Sequence, residues 1–156
     1  MRTLIQRVSE ASVEAGGKVV GSIGEGILLF VGFEKGDTPE LARRSMEKAV
    51  LMRIFEDEAG KLNLSVRDKG GSALLISQFT LASDCARGHR PGFDRGLRSQ
   101  EARPLYDLAL EHLKMLLPGR VQSGCFGEYM KVSLVNDGPC TFMLDLQPFA
   151  QGRSLH

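Results

Sequence analysis

The stretch Asn136-Asp137-Gly138-Pro139-Cys140-Thr141-Phe142 constrains the fold most, because it separates two segments of alternating apolar and polar residues. Residues 129–135 and 141–146 both have the two-residue period of a half-buried strand. Asp-Gly between two such segments is typical of a tight hairpin turn. The proline that follows removes a backbone donor where strand pairing should resume. The sequence therefore predicts a β-hairpin whose tip presents carbonyl groups but few N–H groups.

Four further segments have the patterns of β-strands, namely residues 3–13, 19–23, 27–31 and 73–81. The first two alternate apolar and polar residues on either side of a Gly16-Gly17 turn, which is typical of a hairpin. The last two are continuously apolar, as in strands covered on both faces, although the fourth ends in polar residues. The first third of the chain is therefore predicted to form a sheet.

Two segments have helical patterns. Thr38 followed by Pro39 is typical of a helix start, and apolar residues at helical spacing continue to near Arg53. A second helix is predicted from about Ser99 to Leu117, where Pro-Gly ends it. This order predicts an α+β fold in which a curved, barrel-like, mostly antiparallel sheet is partly covered by two helices. We expect a single domain over residues 1–148 and a short loose tail over residues 149–156.

Composition limits the classes of partner. A net charge of +1 over 156 residues creates no global basic field, so a nucleic acid would have to meet a local patch. The cysteines Cys85, Cys125 and Cys140 have no metal-ligand spacing and predict reduced thiols in a cytoplasmic protein. No phosphate-binding glycine motif and no apolar run of about 18 residues occurs. We therefore expect no metal, no cofactor and no membrane segment.

An arginine-rich loop precedes the second helix and contains Arg87, His89, Arg90, Arg95 and Arg98. From the residues alone, this loop is equally consistent with a solvated surface segment and with a patch that contacts phosphate groups. Cys85 lies four residues before His89 and raises the alternative of a thiol nucleophile. The sequence supplies no third group to orient such a pair.

The polar end of the fourth strand is a second candidate site. Ser77-Gln78-Phe79-Thr80 follows a buried run, and a strand that stops pairing leaves backbone N–H groups free to bind a developing oxyanion. Thr80 offers a hydroxyl group, and the amide of Gln78 can both donate and accept hydrogen bonds. The same residues are also compatible with an ordinary strand end.

The segment 77–81, SQFTL, together with the stretch 136–141, NDGPCT, resembles the pair of signature motifs of D-aminoacyl-tRNA deacylases. Flanking segments also resemble that family in its order and at about its spacing: residues 5–9, 53–57, 62–65, 90–91 and 126–130. The resemblance covers residues 1–147. Cys140, the flank at 125–128 and the loop at 89–95 depart from the family's usual residues, and the loop differences concern contacts with tRNA.

The resemblance implies a homodimeric enzyme that hydrolyses the ester between a D-amino acid, or glycine, and the terminal adenosine of tRNA. It implies that the Gly138-Pro139 bond is cis and enters the partner subunit's pocket, where main-chain carbonyls exclude an L side chain. Thr80 and Phe79 match the reaction centre, with Ser77 and Gln78 in support. Asn136 completes the substrate-binding motif, and Phe126 and Met130 match residues that line the adenine pocket.

Two other functions remain open at this point. A protein of the same fold could be a non-catalytic RNA-binding or dimerisation module, and Cys85 with His89 could form a cysteine-dependent hydrolase. Phe126 and Met130 are also compatible with ordinary core positions. For the deacylase, we favour attack by water, assisted by the ribose 2′-hydroxyl group and by backbone donors, over attack by Thr80.

Overall fold

A sheet of six strands is the framework of the computed structural model, which describes residues 1–86 and 88–147. The described residues form eight strands: β1 (Arg2–Ala15), β2 (Lys18–Ile23), β3 (Gly26–Gly32), β4 (Phe55–Glu56), β5 (Leu62–Leu64), β6 (Ser72–Ser77), β7 (Val121–Ser123) and β8 (Met130–Asp145). The helices are α1 (Pro39–Leu51), α2 (Ser99–Leu116) and a short 3₁₀ helix (Phe79–Ala82). β4 and β5 form a separate small hairpin.

The pairing of the strands is mixed. β1 pairs antiparallel with β2 and β3 and also with β8, whereas β6 pairs parallel with both β3 and β7. A parallel neighbour requires a crossover of a dozen or more residues, which α1 supplies before β6 and α2 supplies before β7. Gly21 of β2 lies against Ser123 of β7, which brings distant strands of the curved sheet together. The predicted α+β fold with a barrel-like sheet and two covering helices is confirmed.

Apolar side chains fill both sides of the sheet. The larger cluster joins the helices to one face and includes Ile5, Leu29, Met46, Leu75 and Leu113. A smaller cluster on the other face includes Val13, Leu28 and Ile76, with Met130 and Val132 packed at its margin. Met130 and Ile76 also line a surface cavity that is described below, so this second cluster forms part of the cavity wall.

The helix starts agree with the sequence patterns. Thr38 Oγ1 accepts a hydrogen bond from the Leu41 backbone N–H at 3.2 Å, as expected of a residue that caps α1. α2 includes Pro104 in its second turn, so the helix continues through a residue that cannot donate a backbone hydrogen bond. The predicted tail at 149–156 and the predicted loop residue Arg87 lie outside the described residues. In the described ranges, no helix is long and apolar enough to cross a membrane.

The prediction of a hairpin around Gly138 is wrong. Residues 129–135 and 141–146 do not pair with each other; they fall on the two halves of the single long strand β8, and both halves pair with β1. The register passes from Gln6 opposite Thr141 to Val8 opposite Asn136, so two steps along β1 correspond to five along β8. Residues 137–140 therefore bulge out of the strand, and we call residues 136–140 the Gly138 bulge.

The fourth predicted strand is also shorter than expected. β6 ends at Ser77, and residues 79–82 turn into the 3₁₀ helix instead of extending the strand to Leu81. The last bond to β3 is made by the Gln78 backbone N–H, which donates to the Val31 carbonyl at 2.7 Å. We call residues 78–82 the Phe79 turn. Its formation redirects Phe79 and Thr80 to the surface, where both are exposed.

Candidate active site

The Phe79 turn leaves backbone donors free. The Leu81 N–H donates to the Gln78 carbonyl at 3.2 Å, and the Gln78 N–H is used in the sheet. The backbone N–H groups of Phe79 and Thr80 donate no hydrogen bond to any acceptor in residues 1–86 and 88–147. The first N–H groups of any helix lack partners within it. Two adjacent donors are thus available to a negatively charged oxygen.

Hydrogen bonds within the turn orient the Thr80 hydroxyl. Gln78 Nε2 donates to Thr80 Oγ1 at 2.5 Å, which occupies one lone pair of the hydroxyl oxygen. The Thr80 carbonyl accepts from the backbone N–H of Ser83 at 3.1 Å and from its hydroxyl at 2.6 Å. Because Thr80 Oγ1 accepts from Gln78, its own proton can be donated to a ligand. Gln78 and Thr80 therefore act as one unit.

A cavity of about 470 Å³ opens beside this turn. Its lining comes from the end of β6, from α2 and from the β7–β8 loop, and includes Ser77, Gln78, Phe79, Ala102, Phe126 and Met130. This size and mainly apolar lining are typical of a pocket for a small organic group. The structure thus brings together five residues that the sequence analysis selected from two distant segments.

Phe126 is held by its neighbours on α2. Its ring centroid lies 5.3 Å from that of Tyr106, and the Arg103 guanidinium lies 5.3 Å from the same centroid. Tyr106 donates its hydroxyl proton to the buried Leu75 carbonyl at 3.1 Å, and burial raises the pKa of Tyr106 to about 12. Tyr106 therefore stays protonated and fixes α2, and with it Phe126, to strand β6.

Arg7 anchors the Gly138 bulge. Its Nε donates to the Asp137 carbonyl at 2.8 Å, and its Nη1 donates to the Ile54 carbonyl at 2.7 Å. Asn136 Nδ2 donates to the Arg7 carbonyl at 3.3 Å, so strand β1 is bonded to the bulge in both directions. The Gly138-Pro139 bond is cis, as predicted. These contacts give the bulge a defined shape.

Cys140 is the buried end of the bulge. Its side chain is 2% exposed, and its Sγ lies 3.7 Å from the Ile54 carbonyl, which it can approach as a donor. Burial raises the pKa of the Cys140 thiol, so the group stays neutral. This position agrees with its interpretation as a small buried hydrophobic residue.

The candidate residues fall into two groups. Gly138 and Pro139 are exposed and do not line the cavity that contains Phe79 and Phe126. Asn136 braces the bulge through its contacts with Arg7, Cys140 and Thr141. No local sequence pattern indicates the role of Arg7, because its partners Ile54 and Asp137 are 47 and 130 residues away.

The cysteine and metal alternatives gain no support from the geometry. Cys85 is exposed and contacts the Ser83 hydroxyl at 3.5 Å, and the described part of the loop shows no hydrogen bond between Cys85 and His89. Within the described ranges, no three His, Cys, Asp or Glu side chains are placed to bind a metal ion. The exposed groups of the Phe79 turn remain the candidate for chemistry.

Known proteins resemble this chain over nearly its whole length. The family model described as D-Tyr-tRNA(Tyr) deacylase matches residues 4–145. A D-aminoacyl-tRNA deacylase of Akkermansia muciniphila is 51% identical over 145 residues, which cover 93% of this chain and 97% of the relative. The protein of the same name in Geobacter sulfurreducens is 52% identical and covers 93% of this chain and 95% of itself.

Solved structures show the same fold. A structure titled c-Myc DNA Unwinding Element Binding Protein has a TM-score of 0.90 and 37% identity, covering 95% of this chain and all 100% of that one. Another, titled as a probable eukaryotic D-amino acid tRNA deacylase, has a TM-score of 0.79 at 18% identity, with coverage of 93% and 98%. The family match and the identities near one half are decisive: this chain belongs to the D-Tyr-tRNA(Tyr) deacylase family.

Proposed function

We propose that this protein hydrolyses the ester bond of D-aminoacyl-tRNA, releasing the free D-amino acid and tRNA. The observation that carries this proposal is the pair of free N–H groups in the Phe79 turn, which lie beside a cavity lined by Phe126 and Met130. The cavity suits the flat terminal adenine, because an aromatic ring and a thioether both make favourable contacts with a base. The aminoacyl ester would then lie at the turn.

The residues of the turn fit attack by water. As water adds to the ester carbonyl, the oxygen becomes negative and can accept hydrogen bonds from the Phe79 and Thr80 N–H groups. When the tetrahedral intermediate collapses, the ribose 3′-oxygen leaves and takes up a proton relayed from the attacking water by the neighbouring 2′-hydroxyl. Gln78 orients the Thr80 hydroxyl, which can donate to the reacting groups.

Chirality would be imposed by a second copy of the chain. The Gly138 bulge is exposed and lies outside its own cavity, and the apolar side chains of Val135 and Met143 on the same strand are 49% and 54% exposed. Such a surface suits a symmetric dimer in which each bulge enters the other subunit's cavity. Carbonyls of Gly138 and Pro139 would meet the substrate's amino group and leave no space for an L side chain.

Two consequences follow from a filter made of main-chain atoms. The filter rejects L side chains without regard to their identity, so D-amino acids of different size should be substrates. Glycine has no side chain to reject, so glycyl-tRNA should also be hydrolysed. Because these substrates arise where tRNA is aminoacylated, we place the activity in the cytoplasm.

The function is tested by incubating the protein with D-tyrosyl-, L-tyrosyl- and glycyl-tRNA and following release of the amino acid. We expect rapid release from the D and glycyl substrates and release at the uncatalysed rate from the L substrate. Equal rates for D and L would refute the chiral filter. No release from any substrate would favour the non-catalytic RNA-binding or dimerisation module.

A Cys85→Ala variant should keep the wild-type rate, because the proposed reaction does not use the Cys85 thiol.

Thr80→Val is expected to lower kcat for D-tyrosyl-tRNA about 10- to 100-fold, because it removes one hydrogen-bond donor but leaves the backbone donors in place. Thr80→Ser keeps the hydroxyl and should stay within about threefold of wild type. Single-turnover kinetics at saturating enzyme measure the effect. Complete loss of activity in the valine variant would instead identify Thr80 as the nucleophile.

Gly124→Ala is expected to impair adenosine binding. A Cβ atom at this position would lie 2.5 Å from Met130 Sδ and 3.1 Å from Ile76 Cδ1, so the Met130 side chain, which lines the cavity, must shift. We expect KM for D-tyrosyl-tRNA to rise about 5- to 10-fold with little change in kcat, as for a loss of uniform binding. A fall in kcat at unchanged KM would contradict this assignment of the cavity.

A further inference from the structure

Two residues outside the segments 77–81 and 136–141 contact the Phe79 turn on the side where it packs against the sheet. Arg2 of β1 and Gly32 of β3 are directly opposite each other in the antiparallel register of the two strands. Both contact the turn, Arg2 through a hydrogen bond and Gly32 through close packing. The positions of the Phe79 and Thr80 N–H groups therefore depend on this cross-strand pair.

Gly32 allows the turn to lie directly against the end of β3. A Cβ atom at Gly32 would lie 2.8 Å from the Gln78 carbonyl oxygen and 2.9 Å from Leu81 Cβ. These neighbours are a backbone atom and a Cβ atom, which cannot move aside as the end of a flexible side chain can. Gly32 does not have a positive φ, so space alone requires glycine here. Any larger residue must displace the turn.

Arg2 holds the opposite end of the turn. Its Nη1 donates to the Leu81 carbonyl at 3.1 Å. Its Nε lies 3.4 Å from a carboxylate oxygen of Glu34 and 3.7 Å from one of Asp145, so two acidic groups keep the guanidinium in place. The Arg2 side chain is partly buried, with 27% exposed. The arginine thus connects the ends of strands β1 and β8 to the turn.

We propose that Arg2 and Gly32 are positioning residues for ester hydrolysis: Gly32 sets how closely the Phe79 turn approaches the sheet, and Arg2 fixes its Leu81 carbonyl. Neither residue lines the cavity, so both act through the turn, and the residues assigned to the adenine, Phe126 and Met130, do not belong to that turn. The inference rests on the proposed function, because it assigns these residues to the step in which the turn binds the oxyanion. A displacement of about 1 Å at such a site lowers the rate roughly 100-fold.

Gly32→Ala is the first test, with Gly24→Ala as its matched control. Gly24 precedes the other end of β3, has no positive φ, and a Cβ atom there would meet no atom within 4 Å. We expect Gly32→Ala to lower kcat for D-tyrosyl-tRNA about 100-fold with KM within about threefold of wild type. Gly24→Ala should match wild type in both constants. Wild-type kcat in Gly32→Ala, or a loss confined to KM, would overturn the proposal.

The Arg2 series gives a second test that does not depend on the folding of Gly32→Ala. Arg2→Met removes the bond to Leu81 and should lower kcat about 10-fold, whereas Arg2→Lys can still donate to the carbonyl and should recover most of the rate. Asp145→Asn removes the longer of the two ion pairs of Arg2, while the contact with Glu34 and the Leu81 bond remain. Asp145→Asn and Arg2→Met should both lower the melting temperature, but Asp145→Asn should leave kcat unchanged.

The outcomes separate this inference from the proposed function. Turnover of D-tyrosyl-tRNA by the wild-type protein, measured in parallel, tests the function. If the wild type is active and Asp145→Asn loses as much kcat as Arg2→Met, the role of Arg2 is merely structural and the proposal fails. If Gly32→Ala does not fold by circular dichroism, the three variants at Arg2 and Asp145 decide the result.

Discussion

Gly138→Ala is expected to lower deacylation of D-tyrosyl-tRNA about 100-fold or more, because the Gly138 bulge cannot keep its shape around an added methyl group. A Cβ atom at Gly138 would overlap the Cys140 backbone nitrogen and lie 2.9 Å from Asn136 Oδ1. Both contacts lie within the bulge, so the main chain itself must move. The measurement is kcat/KM for D- and L-tyrosyl-tRNA, because displaced carbonyls should also reduce the ratio between them.

Asp137→Asn is the control for this substitution. This variant changes the Asp137 side chain, which is 55% exposed and lies next to Gly138. It keeps the Asp137 backbone carbonyl that accepts a hydrogen bond from Arg7. The rate should stay within about threefold of wild type, because an exposed ion pair contributes little. If Gly138→Ala and Asp137→Asn have equal effects, the shape of the bulge does not limit the reaction.

A mixing experiment tests whether the bulge acts in the partner's cavity. Gly138→Ala is combined with a Thr80→Val, Phe126→Ala double variant; each is expected to keep about 1% of wild-type activity or less on its own. In a symmetric dimer, random exchange pairs one intact cavity with one intact bulge in about a quarter of all sites, so about a quarter of wild-type activity should return. No recovery, when exchange of subunits is verified by mass, would show that the bulge serves its own subunit.

Arg7→Met is expected to have the second large effect, on stability as well as on activity. The Arg7 side chain is 11% exposed and donates to the carbonyls of both Ile54 and Asp137. A hydrogen bond to a charged group contributes about 1.5–3 kcal/mol, and methionine leaves both carbonyls without this donor. We expect the free energy of unfolding to fall by about 2–4 kcal/mol and kcat/KM to fall about 100-fold.

Chemical denaturation at a fixed protein concentration measures the stability, because the proposed dimer would make unfolding depend on concentration. Arg7→Lys keeps the charge, but lysine has no planar group that can bridge two carbonyls. The free energy of unfolding of Arg7→Lys should therefore lie between that of Arg7→Met and that of the wild type. If Arg7→Met were as stable as wild type, the contacts of Arg7 would not hold the bulge to Ile54.

Local patterns predicted the two helices and four of the strands, β1, β2, β3 and β6. Thr38 caps α1 as expected, and the alternation around Gly16-Gly17 became the β1–β2 hairpin. These predictions succeeded because capping and strand alternation depend on residues within a few positions of one another. The hairpin prediction at Gly138 failed for the same reason: local alternation is identical whether two segments pair with each other or continue as one strand. Pairing with β1 decided between them.

The amino-acid sequence by itself determined the two helices and strands β1, β2, β3 and β6, the glycine and proline at 138–139, and the two motifs that resemble those of the deacylase family. Only the tertiary structure decided that β6 ends in a turn with free donors, that Arg7 holds the bulge, and that Arg2 and Gly32 support the turn. The physical reason is distance along the chain. Arg2 and Leu81 are 79 residues apart and Arg7 and Asp137 are 130 apart, so folding of the sheet alone creates these contacts.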